Sequence, residues 1–234
     1  MTSSEILKNK ILDLAMHGKL VKQDPNDEPA SVLLTKIKAE KEQLIKAKKI
    51  KRTPQLPEIT ADEIPYQIPD SWQWVRLNDI GIWQAGSTPV RSKSFYYGGN
   101  IPWVKTGDLN DGEIKKTSET ITEEGFNNSS VKLNPAGSIL IAMYGATIGK
   151  LGILKINATT NQACCACIPF KEINNKYLFY YLLSQRSNLI RLGYGGAQPN
   201  ISRTKIINYI ISLPPLAEQQ RIVAKIEKIF AELH

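Results

Sequence analysis

An apolar run that stops at two prolines and restarts as a helix with a seven-residue repeat constrains this chain more than any other feature. The run is Ile206-Ile207-Asn208-Tyr209-Ile210-Ile211-Ser212-Leu213, and it predicts a strand ending at Pro214-Pro215. Proline lacks the N–H that a strand ladder needs and presets φ for a helix start. Glu218 then falls in the first helical turn, where the helix dipole favours an anion. Leu216, Val223 and Phe230 recur every seven residues, Ile226 and Leu233 fill the complementary heptad position, and Ile222 and Ile229 widen the seam. This is the opening of a coiled-coil type of helix, too short to be stable alone. Val223, Ile226, Phe230 and Leu233 are therefore expected at an interface, either with helices of the same chain or with a second copy in a two-fold dimer.

Upstream, the texture changes in steps. Residues 1–52 predict a helical pair. One helix covers 4–20, with Ser3 or Ser4 as N-cap, Leu7, Ile11 and Leu14 on one face, and Gly18 near its end. The other covers 31–50, with Ser31 as N-cap, Leu34, Ile37, Leu44 and Ile45 inward, and a closing run of lysines that complements the helix dipole. Residues 53–70 carry Pro54, Pro57, Pro65 and Pro69 and predict an extended linker. Residues 71–213 predict one domain: Ser138–Tyr144, Leu151–Ile156 and Ala163–Ile168 as core strands, polar Gly/Asn/Ser turns between strands, and a helix over Asn175–Arg191. Trp72, Trp74 and Trp103 are expected in the core. Residues 214–234 complete the chain as the start of a spacer helix. The expected fold class is α+β, a strand-rich mixed α/β domain flanked by long helices.

Charge is unevenly placed. The chain carries thirty Lys/Arg against twenty-two Asp/Glu, and residues 136–213 hold eight bases against the single acid Glu172. A stretch this one-sided is a plausible footprint for a polyanion. No run approaches the ~20 apolar residues of a membrane span, and the first residues are amphipathic and charged rather than a secretory leader, so a cytoplasmic protein with no membrane partner is expected. Cys164, Cys165 and Cys167 lie in an apolar strand-like run with His17 and His234 remote in sequence, which predicts buried free thiols and no metal site.

Catalytic chemistry is hard to place. Gly145-x-x-x-Gly149-Lys150 has one residue too few between its glycines for a phosphate loop, and Leu151 stands where Ser or Thr is needed, so a tight turn is expected. Leu213-Pro214-Pro215-Leu216 lacks the amide and the stacking ring with which an adenine methyltransferase holds a flipped base. With histidine only at positions 17 and 234, no nucleophile–base set suggests itself. No cofactor is expected.

The strand, Leu-Pro-Pro-Leu-x-Glu-Gln and heptad helix of residues 206–230 resemble the end of a target recognition domain in the specificity subunits of type I restriction–modification systems. Other strings agree in order: Ile68-Pro69-Asp70-Ser71-Trp72, Gly86-Ser87-Thr88-Pro89, Ile101-Pro102-Trp103-Val104, Gly137-Ser138-Ile139-Leu140, Gly145-Ala146-Thr147-Ile148-Gly149-Lys150 and Thr160-Asn161-Gln162. The resemblance implies a non-catalytic DNA-binding subunit, in a single-recognition-domain form or fragment, reading one half of a bipartite target in double-stranded DNA. It implies as partners an adenine-N6 methyltransferase subunit using S-adenosylmethionine and an ATP-dependent restriction subunit. The alternatives are a specificity module of a type II-like system, a diverged methyltransferase or nuclease, and an assembly adaptor that does not bind DNA. The side chains that can read base edges or phosphates in the polar turns are Arg91, Lys93, Lys105, Thr106, Asp108, Tyr144, Thr147, Lys150, Asn161, Gln162, Gln198, Asn200 and Arg203. Asn161 and Gln162 have a competing use in satisfying buried backbone, and Asp108 in capping a turn.

Overall fold

A computed structural model describes residues 2–53, 55–194 and 199–233. In chain order its main elements are α1 (Ser3–Met16), α2 (Ala30–Lys46), β1 (Gln73–Arg76), β2 (Gly81–Ala85), β3 (Tyr97–Val104), β4 (Gly112–Ile114), β5 (Glu119–Ile121) and α3 (Glu123–Asn127). There follow β6 (Ile139–Ala142), β7 (Leu151–Leu154), β8 (Thr159–Thr160), β9 (Cys164–Pro169), α4 (Asn175–Ser184), α5 (Arg186–Leu192), α6 (Arg203–Asn208), β10 (Ile210–Leu213) and α7 (Leu216–Glu232). The chain is α+β, as expected, and it divides into two compact units: 1–80 with 170–184 and 208–234, and 81–169 with 185–207. The partition cuts across the 71–213 stretch that the sequence groups together: β1, α4 and β10 belong with the terminal helices.

In the first unit, β1 and β10 pair antiparallel, Gln73 opposite Leu213 and Arg76 opposite Ile210. Helix α1 is capped by Thr2, whose side chain accepts from the Glu5 N–H while Glu5 reaches back to the Thr2 N–H. It buries Leu12, Ala15 and Met16. The face expected from Leu7, Ile11 and Leu14 is rotated away, and Leu7 is exposed. Helix α2 begins at Pro29-Ala30 and buries Ala30, Leu33 and Ile37; the expected Leu34 is only half-buried. Trp74, expected in the core, is half-buried as well, whereas Trp72 is buried.

Helix α7 buries Glu218, Gln219, Ile222, Val223 and Ile226 and packs on α1 and α4. The heptad face at Val223 and Ile226 is thus covered by helices of the same chain, the first of the two alternatives that the sequence left open. Phe230 is half-buried, with the Tyr180 ring edge-on at 5.9 Å and the Lys8 ammonium 5.5 Å from its centroid. Leu233 is also half-buried.

The Leu-Pro-Pro-Leu-x-Glu-Gln string acts as a staple. Buried Glu218 accepts from Trp72 Nε1 at 2.8 Å and from Gln23 Nε2. Gln219 accepts from the Asn174 N–H at 2.9 Å and donates to the Pro214 carbonyl at 3.0 Å. Arg221 forks onto both oxygens of Asp27. Arg76, 7% exposed, donates to Glu63 and to the carbonyls of Pro57, Glu58 and Asn208.

The second unit holds two sheets. One has the order β2-β9-β6-β7-β4, antiparallel except for β4 with β7; the other has the order β5-β3-β8, with β3 antiparallel to β5 and parallel to β8. One apolar cluster joins Val104, Leu109, Ile114, Leu140, Leu154, Ala158 and Cys164; a second joins Trp103, Ile121 and Val131. The three cysteines are buried and free. Burial pushes the Cys165 thiol up to about 12, so it stays protonated. The apolar run from Ile206 does not start as a strand. Ser202 accepts from the Lys205 N–H through its side chain and from the Ile206 N–H through its carbonyl, which turns residues 203–208 into a short helix before β10. The helix expected over Asn175–Arg191 is likewise two helices, α4 and α5, meeting at Gln185.

Candidate nucleic-acid interface

The second unit carries twelve Lys/Arg against six Asp/Glu, +6 of the chain's +8. Within it, three of the strings that are separate in sequence meet. The Gly86 N–H donates to the Cys164 carbonyl at 3.1 Å and the Ser87 N–H to the Thr160 carbonyl at 3.0 Å. A Cβ at position 86 would run into the carbonyls of Thr160 and Asn161, so only glycine allows this approach. Trp103 Nε1 donates to the Ser87 carbonyl at 3.1 Å, and the Asn161 N–H to the Val104 carbonyl at 2.9 Å. Gly86–Pro89, Ile101–Val104 and Thr160–Gln162 therefore form one joint.

At this joint the polar side chains bond one another. The Thr88 hydroxyl and the Gln162 amide oxygen are partners, and the Tyr144 hydroxyl also bonds Gln162. Burial, and next the Cys164 thiol, push the Tyr144 phenol above its ordinary value, with the Gln162 bond opposing. Tyr144 pairs with Asn200 through an isolated antiparallel bridge. Gln162 and Asn200 are exposed, so their amides have solvent-facing valence left for a ligand. Gln198 lies outside the described residues.

Beside them stands a cationic group. Arg91 lies over the rings of Tyr97 and Trp103, 4.5 and 4.7 Å from their centroids. Its guanidinium meets Glu119 Oε2 at 2.7 Å, and Lys105 Nζ meets Glu119 Oε1 at 2.6 Å. These two partners, Lys105 first, hold the Glu119 carboxyl below its ordinary value. Lys93 is spent on Tyr96, bonding its hydroxyl at 3.0 Å with the ammonium 5.0 Å from the ring centroid.

Residues Gly145–Lys150 form the tight turn joining β6 to β7. Gly145 and Gly149 have φ of +83° and +77°, and the Lys150 N–H bonds the Thr147 carbonyl at 2.9 Å. The Gly149 carbonyl is held by Arg186 Nε at 3.0 Å, and Arg186 is itself paired with Asp111. The turn is thus pinned at its base with the Lys150 side chain exposed.

Other candidates are occupied by the fold. Asp108 accepts from the N–H groups of Lys105 and Ser118 at 2.8 and 3.1 Å, capping the turn Thr106–Asp108. Asn161 Oδ1 accepts from the Ala163 N–H at 3.2 Å. Arg203 donates to the Trp83 carbonyl at 3.2 Å. Thr88 and Glu119 belong to the joint and were not singled out by sequence. Thr88 lies in a string that resembles the family, whereas nothing local marks Glu119, which is brought in because β5 places it opposite Trp103.

Comparisons with known proteins bear on the family and the fold. Residues 69–234 match the family model described as the type I restriction modification DNA specificity domain. The chain is 32% identical over 243 residues to the type I restriction enzyme EcoAI specificity subunit of Escherichia coli, covering 96% of this chain and 39% of that protein. It is 31% identical over 252 residues to the EcoEI specificity subunit of the same organism, covering 97% and 40%. In fold it is similar to the crystal structure of the HsdS subunit from Thermoanaerobacter tengcongensis, at a TM-score of 0.59 and 20% identity over 98% of this chain and 50% of that one. The chain spans about two fifths of the length of these two relatives. It belongs to the family of type I restriction modification DNA specificity domains.

Proposed function

We propose that this chain is the DNA-reading component of a type I restriction–modification complex, that its second unit reads one half of a bipartite duplex target, and that it performs no chemistry itself. The carrying observation is the joint of Gly86–Pro89, Ile101–Val104 and Thr160–Gln162, which collects solvent-facing Gln162 and Asn200 beside Arg91 and Lys105 in the unit that holds most of the net charge. A glutamine or asparagine amide bonds adenine N6 and N7 together, and an arginine bonds guanine O6 and N7. In this reading Gln162, Asn200 and Tyr144 face base edges, and Gln198 is kept as a base-reading candidate from the sequence alone. Arg91, Lys93, Lys105, Thr106, Thr147 and Lys150 serve the backbone or guanine. Asp108, Asn161 and Arg203 act by shaping the surface.

Methyl transfer and cleavage then belong to partners: an adenine-N6 methyltransferase subunit and an ATP-dependent restriction subunit, docking on the helical unit. Phe230 and Leu233, half-buried near the end of α7, are where a partner helix or a second copy would pack. Lys150→Ala tests the DNA assignment. It is expected to weaken binding to all duplexes alike and to lower the salt slope by about 0.9. Unchanged affinity and slope with the fold intact would remove Lys150 from the interface. Purified chain incubated with labelled S-adenosylmethionine and DNA should transfer no methyl group; transfer by the chain alone would overturn the non-catalytic reading.

A further inference from the structure

Glu119 bridges two cations in the second unit. They come from different segments, Arg91 at 2.7 Å and Lys105 at 2.6 Å, and the Glu119 side chain is only 32% exposed. Arg91 does not depend on it for position, because the faces of Tyr97 and Trp103 already support the guanidinium. A carboxylate bridging Arg and Lys presents the oxygen pattern that a phosphate would present to the same donors. It also places a negative charge at an edge that a polyanion must approach. Yet this unit is otherwise rich in bases, and Glu119 cancels part of that excess where Gln162 and Thr88 gather.

We infer that Glu119 is an internal counterion that suppresses non-specific DNA binding, holding Arg91 and Lys105 until a duplex that also satisfies the neighbouring polar side chains displaces it. The inference rests on the DNA-reading assignment above. Its physical content is a penalty on the wrong ligand. Generic phosphate contacts must break two charge-assisted bonds and face a carboxylate, whereas a matched duplex offsets that loss with base contacts. Glu119 is thereby a specificity-determining residue without itself reading a base.

The test uses the full chain, a fluorescent duplex pool of random sequence, and sodium chloride from about 50 to about 200 mM, the range over which phosphate contacts dominate affinity. Wild type, E119Q and K150A are compared, with the same E119Q change made in an R91Q/K105Q background. E119Q should bind the random pool severalfold more tightly than wild type, with a salt slope steeper by about 0.9 or more. The gain should vanish in the R91Q/K105Q background, which separates release of the two cations from any general effect of removing a charge. Duplexes selected from the pool by E119Q should show a weaker consensus than those selected by wild type. If K150A weakens binding while E119Q leaves affinity and slope unchanged, the counterion role is wrong and the DNA-reading assignment stands. If neither wild type nor any variant binds in a salt-dependent way, the DNA-reading assignment fails and this inference with it. Circular dichroism and melting of E119Q check the fold; should E119Q unfold, E119A and E119S replace it, and unchanged or reduced affinity in folded forms of these would equally overturn the role.

Discussion

The two units use the same side chains in opposite ways. In the helical unit Gln219 is fully buried and both ends of its amide are bonded to backbone. In the other unit Gln162 is exposed and its partners are the rotatable hydroxyls of Thr88 and Tyr144. Arg76 is buried and donates to three carbonyls and a carboxylate, whereas Arg91 lies on two ring faces with its guanidinium half-exposed and one carboxylate as partner. Glu218 is buried under an indole N–H, whereas Glu119 bridges two cations where solvent reaches it. Residue type therefore does not mark a recognition site. What marks it is whether the polar atoms are consumed by backbone or held by groups that a ligand can replace.

That contrast can be broken by substitution. Arg76→Ala should cause the largest loss. It removes a buried side chain and its bond to the half-buried Asn208 carbonyl, whereas Pro57, Glu58 and Glu63 are exposed and regain water. A loss of about 3 kcal/mol, the upper end of ordinary single-substitution losses, is expected in denaturant unfolding from the missing buried side chain. A loss below about 1 kcal/mol, the range for an exposed ion pair, would erase the distinction from Arg91. Gln219→Ala comes next: it leaves the Asn174 N–H and the Pro214 carbonyl unpaired, and a destabilisation of about 2 kcal/mol should appear in urea melts.

The smallest effect is a pH dependence at Glu218. Burial holds its carboxyl above the ordinary value of 4.5, opposed by the bonds from Trp72 and Gln23. A raised folded value means that the native state binds more protons than the unfolded chain just above pH 4.5. The contribution is thus full below 4.5 and is lost as pH rises through the folded value. Glu218→Gln removes this titration. Its melting temperature should gain on wild type as pH rises through that window and run parallel to it below. A gain on lowering the pH instead would mean that Glu218 is held ionised.

Much of the fold was legible because periodicity is local. The strands expected at Ser138–Tyr144, Leu151–Ile156 and Ala163–Ile168 are β6, β7 and β9 within a residue or two at most ends. The Gly145–Lys150 turn follows from its glycines, both at positive φ. Where reading failed, a competing local bond or a distant partner had won. Ser202 caps α6 and so converts Ile206 to helix, a signal present in the sequence but outweighed by the apolar run. The buried face of α1 is set by what covers Leu12, Ala15 and Met16, which spacing alone does not reveal. The site was legible as strings, not as a surface. Gly86–Pro89 and Thr160–Gln162 are more than seventy residues apart, and only the sheets bring Thr88 to Gln162. For Asp108 and Asn161 the sequence offered both base reading and backbone bonding, and their bonds to backbone N–H groups favour the second.

The joint around Gln162 is proposed to read DNA, whereas its counterpart Gln219 holds the fold. The most direct test is selection of preferred duplexes from a random pool by wild type and by Gln162→Ala. Loss of preference at one base-pair position, worth about 1–3 kcal/mol, with the other positions and the melting temperature unchanged, is the predicted result. An identical consensus from both proteins would contradict the account.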